Sequence, residues 1–465
     1  MIAGLMIIPW ILSLFETTTA PTGNFTIALT LTAFASGALL LSGFTTRRHR
    51  ARGLELLLIM VLFWTVLPLL AALPFIGAGP INTVLAAYFE AVSALTTSGA
   101  SMFSVPQVES HAVLLWRALL AWLGGLWTLV FAVAVLAPFG IGGITLTGSP
   151  LLQHEEGAPL TSRLGRPLRL IFPIYLAFTG LGFLALLATG TPGFKALCLS
   201  LSAISTSGLV THSDPLTLQL TQGAQIALAA QCFIGALSIP LLLVMTLGAK
   251  FDSAFRNTEF SAFVLMIGFY TAISFISLTH SPLGNSLMQS ISLHSTAGFD
   301  FLPAGQIRQW PMIWLMLPVL IGGMAMSTAG GLKVMRAIIL AKDLGVEIGK
   351  LTYPSSVHPL QLEGRRLEDT DFNAAWAYTA VFILFVSMGL VVLGLFGMQL
   401  SDAWPIVLGA LTNSLAITMH LDMPLGYASM GSALQIIIAL LMIAGRIELL
   451  ILMVMFTSSF WRYMR

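Results

Sequence analysis

Phe89-Glu90-Ala91-Val92-Ser93-Ala94-Leu95-Thr96-Thr97-Ser98-Gly99 closes a moderately apolar segment, 82–97, that ends in a small-polar turn. The segment is too short to cross a bilayer, for which a helix needs about 20 apolar residues. The same device recurs three times, ending in Ser205-Thr206-Ser207-Gly208, in His294-Ser295-Thr296-Ala297-Gly298 and in Thr412-Asn413-Ser414-Leu415-Ala416. Each copy stands between two long apolar runs. A fixed order of span, short helix, turn and span, repeated four times, predicts a quasi-fourfold arrangement about one axis.

The composition around these segments agrees. Hydrophobic residues make up 57% of the chain and Asp, Glu, Lys and Arg only 9%, against roughly 25% charged in soluble domains. So few charges cannot cover a water-facing surface, so the bilayer is the solvent. Long apolar runs fall at about 1–15, 24–44, 54–74, 112–138, 170–188, 224–247, 260–279, 312–345 (interrupted), 374–396 and 432–457. The predicted fold is an all-α integral membrane protein with ten transmembrane helices and four re-entrant pore helices. An N-terminal transmembrane helix pair, 1–53, precedes four pseudo-symmetric helix–pore-loop–helix repeats around one central pore, at 54–147, 148–250, 251–350 and 351–465. The run Met1 to Phe15 lacks a basic leader and a small-residue cleavage site, so it reads as a retained helix.

Charge sets the expected orientation. Arg47, Arg48, Arg50, Arg52, Arg163, Arg166, Arg169, Lys250, Arg256, Lys333 through Arg366, Arg462 and Arg465 fall on one side. The other side carries only Lys195 and Arg308, with the acids Glu109, Asp214, Asp300, Asp402 and Asp422. Positive charge marks the cytoplasmic side, which places both termini in the cytoplasm. The acids opposite would concentrate cations at a mouth, or serve as ordinary solvated loops. A net charge of +2 argues against nucleic acid as a partner. Cys198 and Cys232 lie in or beside apolar stretches, offer no metal-ligand spacing and read as buried free thiols. No nucleophile–base pair, metal cluster or carboxylate dyad suggests an enzyme.

Non-helical backbone at membrane depth is tolerated only inside protein or along a water-filled cavity. A short helix followed by hydroxyl residues and glycine meets that rule if its tail lines a pore, where backbone carbonyls replace a cation's hydration shell. Glycine permits the backbone angles that turn carbonyls inward, and the helix C-terminal ends add partial negative charge. The candidate cation ligands are therefore Thr97, Ser98 and Gly99; Thr206, Ser207 and Gly208; Thr296, Ala297 and Gly298; and Ser414, Leu415 and Ala416. One such turn reads equally well as a helix-packing contact; four in equivalent positions do not. In the eighth run, Gly322-Gly323-Met324-Ala325-Met326-Ser327-Thr328-Ala329-Gly330-Gly331 breaks the helix, the only second helix so interrupted on this reading. It would lie below the turns as a gate or act as a packing kink. Arg446, inside the last run, would form an electrostatic barrier in the pathway, pair with Glu448, or cap carbonyls of the broken helix. Glu90 reads as a buried structural hydrogen-bonder in preference to the alternative, an ion ligand.

At this point the chain resembles the Trk/Ktr/HKT superfamily of K⁺ transporters, and most closely its TrkH/TrkG branch. The resemblance is carried by Phe89 to Ala100, Leu115-Trp116-Arg117-Ala118-Leu119 with Trp122-Leu123-Gly124-Gly125, Ala203 to Gly208, Ser327 to Arg336, and Gly445-Arg446-Ile447-Glu448. It implies a gated potassium uptake pathway across the cell inner membrane, down the electrochemical gradient. The filter glycines would be Gly99, Gly208 and Gly298, forming a single ring that binds K⁺. The gate would comprise Gly322, Gly323, Ser327, Thr328, Gly330, Gly331 and the pore-facing Arg446. It further implies a lipid-embedded homodimer with cytoplasmic TrkA-like nucleotide-binding regulatory subunits. Nucleotide would belong to those partners, since no Gly-rich phosphate loop occurs here between a strand and a helix.

Two departures stand out. Ala416 occupies the place where the fourth filter usually keeps glycine, and alanine resists positive φ, so that carbonyl is expected to be displaced. The gating loop is also poorer in glycine than the family's pattern, with Met324, Ala325 and Met326 at its centre. The alternatives are a weakly selective Na⁺/K⁺ pathway, an ion-coupled alternating-access carrier and a non-conducting scaffold. Parallel repeats and carboxylate-free filters speak against the carrier.

Overall fold

The computed structural model describes residues 2–16, 22–45, 53–103, 110–136, 160–211, 216–246, 257–277, 282–303, 306–307, 310–352, 361–362, 365–367, 369–420 and 427–455. Of the charges used for orientation, Arg47, Arg48, Arg50, Arg52, Glu109, Asp214, Lys250, Arg256, Arg308, Asp422, Arg462 and Arg465 lie outside the described residues.

Among the described residues, six helices are long and apolar enough to cross a membrane: Thr22–Ser42, Glu55–Phe75, His111–Val135, Arg163–Ala188, Thr258–Ser277 and Asp369–Leu395. A seventh arises if Gln222–Ala236 and Ile239–Thr246, bent by 108° at their junction, count as one span. Among the described residues the regular structure is otherwise helical, apart from a two-stranded antiparallel pairing of Gln361–Leu362 with Arg365–Arg366 and an isolated bridge between Ala78 and Ile81. Outward faces are apolar, as with Phe34 at 78% and Leu265 at 72% exposed, the pattern of helices solvated by lipid. His111–Phe131 is instead buried on nearly every face. A Cβ added to its Gly124 would fall 1.7 Å from the Leu95 carbonyl oxygen, so only glycine allows that approach.

Four times, a long apolar helix leads into a 12-residue one: Val84–Leu95, Gly193–Ile204, Leu283–His294 and Leu400–Leu411. Their starts are set locally. Thr83 caps the first through its side chain, accepting from Ala86 N–H at 3.2 Å, and Pro192 and Pro282 precede the second and third. In each, the C-terminal half is buried and points its last turn into the centre of the protein.

The expectation of a single broken second helix is corrected. His111–Phe131 runs into a wider π-type turn at 132–136, and the helix after Gly193–Ile204 bends at Leu237–Ser238. The third is interrupted from Gly322 to Lys333, and the fourth at Glu448, whose φ is +69°. The second and third breaks satisfy one another. Met324 N–H donates to Ala236 O (3.0 Å), Thr328 N–H to Gly235 O (3.2 Å) and Ile239 N–H to Met326 O (3.1 Å). Backbone groups freed from one helix thus find partners on the next, as they must away from water. Glycine richness marks only the third break; the weaker signal at Leu237-Ser238-Ile239-Pro240 is a proline, which removes a helical donor.

Candidate functional site

The four short helices end in the same way. Ser98 N–H donates to Ser93 O (2.9 Å), Ser207 N–H to Ser202 O (3.0 Å), Ala297 N–H to Ser292 O (3.1 Å) and Ser414 N–H to Gly409 O (2.7 Å). The closing bond spans a left-handed residue, a Schellman-type ending: Thr97 at φ +56°, Thr206 at +53°, Thr296 at +58° and Asn413 at +51°. A β-branched residue is costly there, so three threonines in equivalent places are held by their surroundings. Two residues on, Gly99, Gly208 and Gly298 are also left-handed, at +77°, +67° and +72°.

These turns close head to tail. A Cβ on Gly99 would lie 2.2 Å from Ser207 O, one on Gly208 1.9 Å from Ala297 O, and one on Gly298 2.7 Å from Ile417 N. Ala416 N–H completes the circuit, donating to Ser98 O at 3.0 Å. Counting from the left-handed residue, Leu415 stands where the other turns carry glycine. It does not take a positive φ but opens a 3₁₀ turn, Leu415–His420. Ala416 therefore reaches the ring one residue late. The sequence reading placed Ala416 opposite the glycines; the extra residue that brings it there is visible only in three dimensions.

Beneath the ring, the left-handed residues touch the interrupted segment and the last helix. Arg446 donates through Nη2 to Thr97 Oγ1 and through Nη1 to Thr328 O (3.0 Å). Thr296 Oγ1 accepts from Gly330 N–H (2.8 Å), and Thr206 Oγ1 lies 3.5 Å from Thr328 Oγ1. Thr328 Oγ1 also donates to Gly235 O at 2.7 Å. Asn413 Nδ2 donates to Ser98 Oγ (3.0 Å) and Met442 O (2.9 Å). Gly330 passes so close that a Cβ would sit 1.7 Å from Thr412 O. Gly322 and Gly331 turn the chain at φ +75° and +84°, Gly323 lies against Ala329 and Ala236, and Ser327 Oγ donates to Met324 O (2.6 Å). Gly322, Gly323, Ser327, Thr328, Gly330, Gly331 and Arg446 are thus brought together directly under the four turns.

Of the roles weighed for Arg446, pairing with Glu448 is corrected. Glu448 accepts instead from Arg336 Nη2 at 3.0 Å, and that guanidinium lies 3.7 Å from the centre of the Tyr378 ring. Arg446 is 8% exposed, and among the described residues it makes no ion pair. The sequence marked Arg336 as the end of the stretch Ser327 to Arg336 and gave it no partner, and it did not single out Tyr378. Lys333 Nζ donates to Ala329 O, adding a second basic side chain under the ring.

Glu90 is fully buried and accepts from Met102 N–H (2.7 Å), with Arg117 Nη1 at 3.4 Å and Ser101 Oγ at 3.3 Å. Arg117, which also donates to Ser101 Oγ (2.8 Å), donates to the Val210 carbonyl and so ties the non-helical segment after the first turn to that after the second. Gln289 repeats the device in the third short helix, accepting from Phe301 N–H at 2.8 Å. Ser93 and Ser292 hold the segments after the first and third turns through Ala100 O and Phe299 O, at 2.6 and 2.7 Å. Cys198 and Cys232 are free and buried. Among the described residues no group of three or more His, Cys, Asp or Glu side chains is placed to hold a metal ion. Carbonyls and hydroxyls dominate the centre.

A family model described as TrkH, cation transport protein, matches residues 22–264 and 273–463. The chain belongs to the TrkH family. It is therefore a multi-pass membrane protein of a transport family, not an enzyme. The Trk system potassium uptake protein TrkH of Salmonella typhimurium is 29% identical over 475 residues, covering 99% of this chain and 96% of that one. The Trk system potassium uptake protein TrkG of Escherichia coli (strain K12) is 26% identical over 423 residues, covering 87% and 85%. The crystal structure of the potassium transporter TrkH from Vibrio parahaemolyticus superposes with a TM-score of 0.85 at 26% identity, covering 99% of this chain and 96% of that one. These relatives place the chain in the TrkH/TrkG branch.

Proposed function

We propose that this chain is the ion-translocating subunit of a potassium uptake system of the inner membrane, with both termini cytoplasmic. In this reading ten spans and four pore helices form the helix pair 1–53 and the repeats 54–147, 148–250, 251–350 and 351–465. K⁺ passes down its electrochemical gradient through the ring of Thr97-Ser98-Gly99, Thr206-Ser207-Gly208, Thr296-Ala297-Gly298 and Ser414-Leu415-Ala416. The segment 322–331 and Arg446 gate it from below. The protein works as a homodimer with cytoplasmic nucleotide-binding partners, and holds no nucleotide itself.

The observation that carries this reading is the convergence of three left-handed glycines, from three separate helix-turn units, on one point. Dehydrating a cation requires oxygens held from several sides without a side chain between, and helix C-terminal ends aimed at that point favour positive charge. The potassium-uptake names of the relatives supply the ion. Complementation of a K⁺-uptake-deficient cell at limiting K⁺ tests it. The wild-type chain should restore growth. Gly99→Ser should abolish it, since a Cβ there would lie 2.2 Å from Ser207 O; growth with that variant would reject the ring as the pathway.

The fourth turn favours a second reading, a weakly selective Na⁺/K⁺ pathway, because Ala416 takes no left-handed angle and engages the Ser98 carbonyl. Reversal potentials under bi-ionic conditions separate the two.

A further inference from the structure

We infer that the fourth turn is a closure of its own: Ala416 stands inside the ring of glycines and keeps it shut until its N–H releases the Ser98 carbonyl. The inference rests on the reading of these turns as a cation filter, and adds a barrier at ring level, distinct from segment 322–331 and Arg446 below.

The geometry starts from the order of the ring. Gly99 abuts the second turn, Gly208 the third and Gly298 the fourth, and Ala416 bonds back to the first. The second and fourth turns are therefore diagonal. In an open ring the diagonal partner is the farthest. Here a Cβ built on Gly208 would lie 2.5 Å from the Ala416 methyl, against 2.6 Å for Gly99 and 2.9 Å for Gly298. A methyl about equally close to all three, and nearest the diagonal one, occupies the centre. It offers a cation no oxygen and leaves it no room.

The fourth turn also takes up the first turn's ligands. Ser98 O accepts from Ala416 N–H and Ser98 Oγ from Asn413 Nδ2, both at 3.0 Å. Meanwhile Asn413 Oδ1 and Ser414 Oγ are buried with no hydrogen-bond partner among the described residues. Orphaned buried oxygens are rare and call for an explanation. A closed turn supplies one: these oxygens are ligands waiting for an ion that Ala416 excludes. Swinging the start of the 3₁₀ turn outward breaks a single neutral hydrogen bond, empties the axis and frees Ser98 O. The Leu415 carbonyl is bonded by Thr418 Oγ1 (2.6 Å), and that hydroxyl lies 2.6 Å from Tyr427 Oη, so the turn has an anchor to swing from.

The test uses the full chain reconstituted in liposomes, with Rb⁺ uptake as readout and melting of each variant as the folding control. Ala416→Gly should raise uptake several-fold and Ala416→Val should lower it. Ala416→Cys should be blocked by a cationic thiosulfonate reagent added outside, against a wild-type background whose two cysteines are buried. Unchanged uptake in Ala416→Gly, or a Cys variant that reacts with no loss of flux, overturns the inference. Gly99→Ser separates the two levels. If it conducts, the filter reading itself fails; if it is silent while the Ala416 series is flat, only the ring-level closure fails.

Discussion

Glu90 and Arg117 face each other at 3.4 Å with 0% and 3% of their side chains exposed. Two charges in such a place are tolerated because each is bonded several times, to Met102 N–H, Ser101 Oγ and Val210 O. Removing one partner of a buried pair costs about 3–5 kcal/mol, because the other charge stays behind uncompensated. Glu90→Ala is expected to lower the melting temperature in detergent sharply, with Glu90→Gln intermediate since it keeps an acceptor for Met102 N–H. Equal melting of Glu90→Ala and wild type would refute the structural role. From the sequence, Glu90 was legible as a buried hydrogen-bonder, but Arg117 as its partner was not. Nothing along the chain says that residues 27 apart meet across two helices.

At the scale of elements, the short helices are held by glycines on the helices that follow them. Gly124 approaches Leu95 O and Gly445 approaches Leu411 O, where added Cβ atoms would lie at 1.7 and 2.3 Å. Both contacts are backbone against backbone and cannot be relieved by turning a side chain. Gly124→Ala should therefore displace the first turn, reducing both stability and Rb⁺ uptake. Gly180, in the helix Leu160–Ala188, has nothing within 4 Å of its Cβ position. Gly180→Ala should leave uptake unchanged, and matched losses in the two variants would rule out the close-approach argument. The breaks in the second helices were legible unevenly. Clustered glycines announced the break at 322–331, whereas the bend at Leu237–Ser238 is marked only by the nearby Pro240 and the break at Glu448 by no glycine or proline within it. Their geometry depends on bonds to neighbouring segments, as from Met324 N–H to Ala236 O and from Arg336 to Glu448, whose partners a local pattern does not name.

On the scale of the whole molecule, Arg446 joins three units, reaching Thr97 of the first turn and Thr328 of the interrupted segment from the last helix. A guanidinium unpaired by any acid among the described residues raises the energy of a cation passing beside it, and the low dielectric strengthens that repulsion. In Arg446→Gln the charge is gone while a donor to Thr328 O remains. Rb⁺ uptake into liposomes should rise; uptake at or below wild type in a variant that melts normally would exclude the barrier role.

The sequence by itself determined the solvent, the four-unit order and the residue types at each turn. Hydrophobic length and the spacing of Thr, Ser and Gly are properties of the linear chain. It also singled out Ala416 as the odd member. Tertiary structure alone decided that Leu415 adds one residue, that the Ala416 methyl stands among the three glycines, and that Glu448 turns to Arg336 rather than Arg446. Those outcomes depend on which backbones come within a few ångströms of each other about one axis, and residues up to 349 positions apart, as Thr97 and Arg446 are, meet only there.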